Sequence, residues 1–130
     1  DGDHGWGTDP WLPFPPHAGE RSVEALREDP DSILHLYRRL LGARRASAAL
    51  ALGDQRLLDL GEGIVGIERT AADGVDRRLV LVSFTDTTTG PLDLPAPPDG
   101  KWIVEVSTDG AGEGEPFTGV LGPDQAVVLR

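Results

Sequence analysis

The stretch "DSILHLYRRLLGARRASAALALGDQRLLDL", residues 31–60, contains the point at which the chain changes its apolar period. Before Gly53, the residues Ile33, Leu34, Leu36, Tyr37, Leu40 and Leu41 recur at helical spacing and lay a wide apolar stripe along one side of a helix. After Gly53 the period falls to two, as side chains alternate on a strand. Asp29 is expected to cap the helix, with Pro30 in its first position and Asp31 adding negative charge to the first turn. Arg38, Arg39, Arg44 and Arg45 gather toward its C-terminal end, where the helix dipole favours cations. Gly42 inside the pattern costs about 1 kcal/mol relative to Ala, which argues for close packing at that point. So broad a stripe calls for a large apolar partner.

Outward from this junction toward the C-terminus, seven short segments read as strands bounded by turn residues: "DQRLLDL", "GIVGIERT", "RRLVLVSF", "GPLDL", "KWIVEVS", "PFTGVL" and "QAVVLR". Asp73-Gly74 suits a hairpin turn between the second and third, and Gly122-Pro123-Asp124 separates the last two. "RRLVLVSF" is apolar on both faces, as expected of a central strand. "KWIVEVS" alternates, with Trp102, Val104 and Val106 on one face. Trp102 and Phe84 are both placed like core residues. "DGAGEGEP" (109–116) reads as a mobile acidic loop. These segments predict a mainly β fold: a small antiparallel β-sandwich, Greek-key-like, of about seven strands.

Toward the N-terminus the chain opens on "DGDHGWGTDPWLPFPPHAGE", which holds two of the three tryptophans, two of the three histidines and four of the eleven prolines. Such Pro and Gly density denies the segment regular structure, so its aromatics are either packed down or presented to something. "RSVEALRED" then suits a short helical turn. His4 with Asp1, Asp3 and Asp9 matches no recognised ligand spacing, so neither a metal nor a cofactor is expected. His35 reads as a surface residue.

The bulk numbers bound the function. At 130 residues there is room for one real core. Acids outnumber bases 22 to 12, giving a formal charge of −10, which argues against a nucleic-acid or anionic-membrane partner. No apolar run approaches the roughly 18 residues of a membrane span, and no secretory leader stands at the start. With no cysteine there is no disulfide, thiolate metal site or Cys nucleophile. A cytoplasmic location is the expectation. There is no methionine either, so the chain is expected to derive from something longer.

The order of elements, and the wording within it, resembles the C-terminal end of an α-amylase-superfamily glycoside hydrolase of the α-glucosidase and oligo-1,6-glucosidase branch. The resemblance rests on "DG" (Asp1, Gly2), "WLPFPP" (Trp11 to Pro16), "SVEAL" (Ser22 to Leu26), "DPDSILHLYRRLLGARR" (Asp29 to Arg45) and the "ALALGDQRLL" that follows. "HGWGTD" (His4 to Asp9) departs from the family wording. The resemblance implies that residues 1–50 are the loop and final helix of a truncated (β/α)8 catalytic barrel, and that 51–130 form its C-terminal antiparallel β-domain. It implies a parent that hydrolyses α-glucosides with retention, with a missing N-terminal barrel as this chain's main partner. In a barrel the loops at the strand C-termini build the active site. Trp6 and Trp11 are therefore the candidate substrate-binding residues, each offering an aromatic face to a sugar ring.

Retaining hydrolysis needs two carboxyl groups about 5 Å apart. The family carries these in barrel motifs, none of which occurs here, so no catalytic residue is assigned and the chain alone is predicted inactive. It is expected to stabilise the barrel and to add a loop to the sugar pocket. Apart from the barrel, the helix stripe is expected to drive self-association. The alternative is a stand-alone carbohydrate-binding or structural β-sandwich domain.

Overall fold

The computed structural model describes Gly7, residues 11–97 and residues 100–130. The chain divides into two compact units, Asp1–Tyr37 and Arg38–Arg130.

Among the described residues of the first unit the only complete element is a six-residue helix, α1 (Val23–Glu28). Ser22 caps it, its Oγ accepting from the Ala25 N–H at 3.2 Å, which satisfies one of the donors a helix start leaves open. Asp29 closes α1 instead of opening the next helix. Its carboxylate accepts from Asp31 N–H at 3.0 Å and its carbonyl from Ser32 N–H at 3.1 Å. The long helix, α2 (Ile33–Ala46), therefore starts three residues beyond the position expected for Pro30. Local Asx-type bonding has outcompeted the cap geometry. Ser32, buried, donates to Leu26 O at 2.7 Å.

α2 runs on into the second unit and stops at Ser47. There Ser47 caps a further short helix, α3 (Ala48–Leu52), accepting from Leu50 N–H at 3.1 Å. The single long helix expected from the pattern is thus broken by a serine whose side chain finds better use as a cap. Asp76 fixes this corner. Its Oδ2 accepts from Ser47 Oγ–H at 2.7 Å and from Ala49 N–H at 2.9 Å. Gly53 ends α3 where a Cβ would meet Thr70 O at 2.5 Å and Ala49 O at 2.6 Å, so no side chain fits.

Five strands make one antiparallel sheet: β1 (Asp54–Leu58), β2 (Ile64–Thr70), β3 (Arg77–Ser83), β4 (Val104–Ser107) and β5 (Ala126–Leu129), in the order β1-β2-β3-β5-β4. The mainly β, antiparallel class stands, with five strands among the described residues instead of about seven. "GPLDL" and "PFTGVL" do not pair as strands beyond a single bridge between Ile103 and Pro116. Prolines at both segments withhold ladder donors. The two segments still bond to each other, Thr89 N–H to Leu121 O at 2.9 Å and Leu92 N–H to Gly119 O at 2.8 Å.

β3 is central, as its two apolar faces require. One face carries Leu79 and Leu81, which form the core with Trp102, Val104, Leu121, Val127 and Leu129. Leu92, Leu94 and Phe117, from the irregular segments, pack on it. Each fully buried leucine contributes about 2 kcal/mol by area removed from water. Trp102 is core as expected, and its Nε1–H donates to Pro95 O at 2.8 Å.

Two details of the strand reading change. A bulge in β4 sets Val104 beside Leu129 but Val106 beside Val128, so the simple alternation of "KWIVEVS" is interrupted. Phe84, read as core, lies one residue past β3 and is 69% exposed. The hairpin at Asp73-Gly74 forms as expected, with Gly74 at φ +72 and Ala71 N–H bonded to Asp76 O at 2.9 Å. The acidic loop is tied down by its own polar groups. Glu113 accepts from Arg39 Nε–H at 3.2 Å and Ser107 N–H at 2.9 Å.

Candidate functional site

The resemblance read from the sequence makes carboxyl chemistry the first place to look for activity, and the structure gives three carboxylates a perturbed environment. Glu68 on β2 is buried between Arg56 of β1 and Arg77 of β3. Arg56 Nε donates to it at 3.0 Å, and Arg77 Nε at 3.1 Å. Burial pushes its pKa up, but the bonds and charges of Arg77 and Arg56 outweigh that and hold it below the ordinary carboxylate value. Asp76 is likewise raised by burial and lowered more by the Ala49 N–H, the Ser47 hydroxyl and the Arg78 charge. Asp109 is lowered chiefly by the Ser107 hydroxyl, against some burial, with help from Ala111 N–H and Gln125. A general acid at neutral pH needs the opposite shift, a pKa raised toward working pH. These three groups therefore serve to cross-link strands, loop and α3. Among the described residues no group of three His, Asp or Glu side chains is placed to hold a metal ion.

Of the two substrate-binding candidates, Trp6 lies outside the described residues, as do Asp1, Asp3, His4 and Asp9. Trp11 is described and is 85% exposed. His35 hydrogen-bonds the Arg27 carbonyl through Nε2 at 3.1 Å.

The site that the structure does build is an uncovered apolar face. Along α2, Ile33, Tyr37 and Leu41 recur every four residues, the spacing that aligns side chains on a helix surface, and all three are exposed. Tyr37 is 59% exposed and Leu41 is 46% exposed, whereas Ala43 on another side of the helix is buried. The stripe expected to be buried is thus divided, and part of it faces outward. Gly42, next to Leu41, has no heavy atom within 4 Å of the position its Cβ would take. The close packing expected there is absent from this chain's own fold. Arg38 and Arg45 are exposed beside the row, while Arg44 bonds the carbonyls of Leu50 and Ala51 at the end of α3. Separately, within the second unit, Leu57 on the edge strand β1 and Val65 on β2 are exposed on the sheet face opposite the core. Nothing in the helix period predicted which half of the stripe stays open. The signal was Gly42, a costly residue in a helix that otherwise favours large side chains.

No family model matches the chain. Curated relatives do. The chain is 34% identical over 77 residues to a probable α-glucosidase of Rhizobium meliloti (strain 1021), and 29% identical over 79 residues to an oligo-1,6-glucosidase of Parageobacillus thermoglucosidasius. These matches take in 59% and 61% of this chain and 14% of each relative, so it spans about one seventh of their length. Among solved structures, the trehalulose synthase MutB of Pseudomonas mesoacidophila MX-45 superposes with a TM-score of 0.74 at 26% identity, covering 92% of this chain and 21% of that one. A trehalose-6-phosphate hydrolase of Bacillus licheniformis superposes with a TM-score of 0.71 at 26% identity, covering 95% and 22%. The resemblance read from the sequence, to part of an α-amylase-superfamily glycoside hydrolase of the α-glucosidase kind, holds in both comparisons. No helix among the described residues is long and apolar enough to cross a membrane.

Proposed function

We propose that this chain, which matches one part of the α-glucosidase branch of the α-amylase superfamily, is the non-catalytic C-terminal part of such an enzyme, and that it stabilises a catalytic barrel by docking the outward face of α2 against it. The observation that carries this reading is the pairing of exposed Ile33, Tyr37 and Leu41 with a mid-helix Gly42 that has empty space around it. Glycine in a helix interior costs about 1 kcal/mol relative to Ala, and a close approach by another body accounts for keeping it. In the parent, α-glucosides would be the substrates, and Trp11 offers its exposed ring to the barrel body or to a sugar.

The second reading, a stand-alone carbohydrate-binding domain, draws on Phe84, which is exposed. Trp102 is withdrawn from it, being buried with its N–H satisfied by Pro95 O. The test is glucose release from maltose and isomaltose by the 130-residue chain at high protein concentration, with an oligosaccharide titration followed by tryptophan fluorescence. The docking reading expects neither turnover nor a saturable fluorescence change. Turnover that survives repurification and is lost on substituting a specific Asp or Glu contradicts it. Saturable quenching without turnover favours the carbohydrate-binding domain.

A further inference from the structure

In a chain where acids outnumber bases 22 to 12, one cleft of about 560 Å³ is lined by four bases, Arg77, Arg78, Lys101 and Arg130. Its volume falls within the roughly 300–1,000 Å³ typical of small-molecule clefts. Strand register explains the convergence. Leu79 faces Leu129 across β3 and β5, so one step on, Arg78 and Arg130 stand opposite each other. Ile103 and Arg130 exchange both backbone hydrogen bonds at 2.9 Å, and Lys101 lies two residues before Ile103 on that same segment. Like charges placed opposite on a sheet repel.

Two of the four cations have local partners. Arg77 bonds Glu68, donates to Ala96 O at 3.2 Å and lies 5.9 Å from the centroid of the Trp102 ring. Arg78 bonds Asp76 and donates from Nε to Glu105 Oε2 at 2.8 Å. Asp76 is the one acid among the described residues lining the cleft. These bonds pair and fix the two guanidinium groups on opposite faces of β3, Arg77 toward the core with Glu68 and Trp102, and Arg78 on the other face with Asp76 and Glu105. Lys101 and Arg130 are exposed, and their side chains have no hydrogen bond or ion pair among the described residues. Their donors are free to close on a ligand from the open side.

We propose that this cleft binds a phosphate-class oxyanion, either free or as the monoester of a small polyol or sugar, held by the unpaired side chains of Lys101 and Arg130, with Arg78 opposite Arg130 across the ladder. Arg presents a planar fork that matches phosphate oxygens in pairs, and Lys adds a point charge. A dianion between Lys101 and Arg130 offsets the repulsion of their two unpaired charges. This site does not depend on what covers α2.

Isothermal titration of the 130-residue chain with inorganic phosphate, glucose 6-phosphate and glucose, at constant ionic strength set with chloride, tests it. Saturable binding of phosphate, absent with glucose, is expected. Tighter binding of glucose 6-phosphate than of inorganic phosphate identifies the monoester as the natural class, and equal binding identifies the free oxyanion. Replacing both Lys101→Ala and Arg130→Ala should weaken binding at least ~10-fold, while Lys101→Arg retains it. Lys101→Glu, at an exposed side chain, is a second disabling variant whose folding is checked by circular dichroism. No saturation by tens of millimolar phosphate overturns the proposal, as does binding that the double variant leaves unchanged.

Discussion

Replacing Gly42 by Ala isolates the physics of the uncovered face in one methyl group. Within α2 the substitution removes the excess backbone freedom that glycine has in the unfolded chain and shields the helix backbone. With nothing within 4 Å of the new Cβ, no packing cost offsets that gain. The expected change is a stabilisation of about 0.5–1 kcal/mol, from the helix-propensity difference between the two residues. For a domain of this size that raises Tm by roughly 2–6 °C. Equilibrium urea unfolding of the 130-residue chain, followed by circular dichroism at 222 nm, reads it as a higher midpoint at unchanged m-value. A variant less stable than wild type, or one with no gain, would refute the claim that this side of α2 is empty in the chain alone. In a longer polypeptide whose body covers the face, the same methyl meets that body, and the gain is expected to shrink or reverse.

Two further outcomes follow from the buried carboxylates. Glu68→Gln removes the charge that holds Arg77 over Trp102 and is expected to cost about 2–3 kcal/mol, because it leaves a partly buried guanidinium poorly paired. The exposed Arg56 contributes little of this. Urea midpoints of the two proteins measure it, and a loss below about 0.5 kcal/mol would show the ion pair to be incidental. Glu68 also has a folded-state pKa below its unfolded value, so its contribution is complete above about pH 5 and is lost as pH falls through the folded pKa. The stability gap between wild type and Glu68→Gln should therefore stay constant above about pH 5 and narrow as pH falls below the unfolded carboxylate value through the lowered folded one, and a gap that widens on acidification contradicts the assignment.

What was legible in the sequence was whatever a period or a turn dictates. The switch at Gly53 located the boundary between helix and sheet, and Asp73-Gly74 located the β2–β3 hairpin. The two-faced apolarity of residues 79–82 placed β3 at the centre. Less legible was where polar side chains would outbid the pattern. Asp29 and Ser47 use their oxygens for local turns and caps, which moved the start of α2 and divided the helix. The prolines of 90–97 and 116–121 left two core-covering segments without ladder pairing, although their leucines still reach the core. Glu68, in the middle of "GIERT", gave no sign that Arg56 and Arg77 would flank it, because cross-strand register joins residues that are distant in sequence. Of the site, the apolar stripe was legible and its uncovered half was not. A helix period says which residues share a face, and only the packed structure says which face finds a partner.

The central claim, that the outward face of α2 is built to be covered, is tested most directly by sedimentation velocity of the 130-residue chain over a wide concentration range, alongside the double substitution Tyr37→Lys and Leu41→Lys. The account predicts concentration-dependent self-association of the wild type, as the exposed faces find one another, and a shift to monomer in the variant. A wild-type chain that stays a monodisperse monomer at every concentration would contradict it.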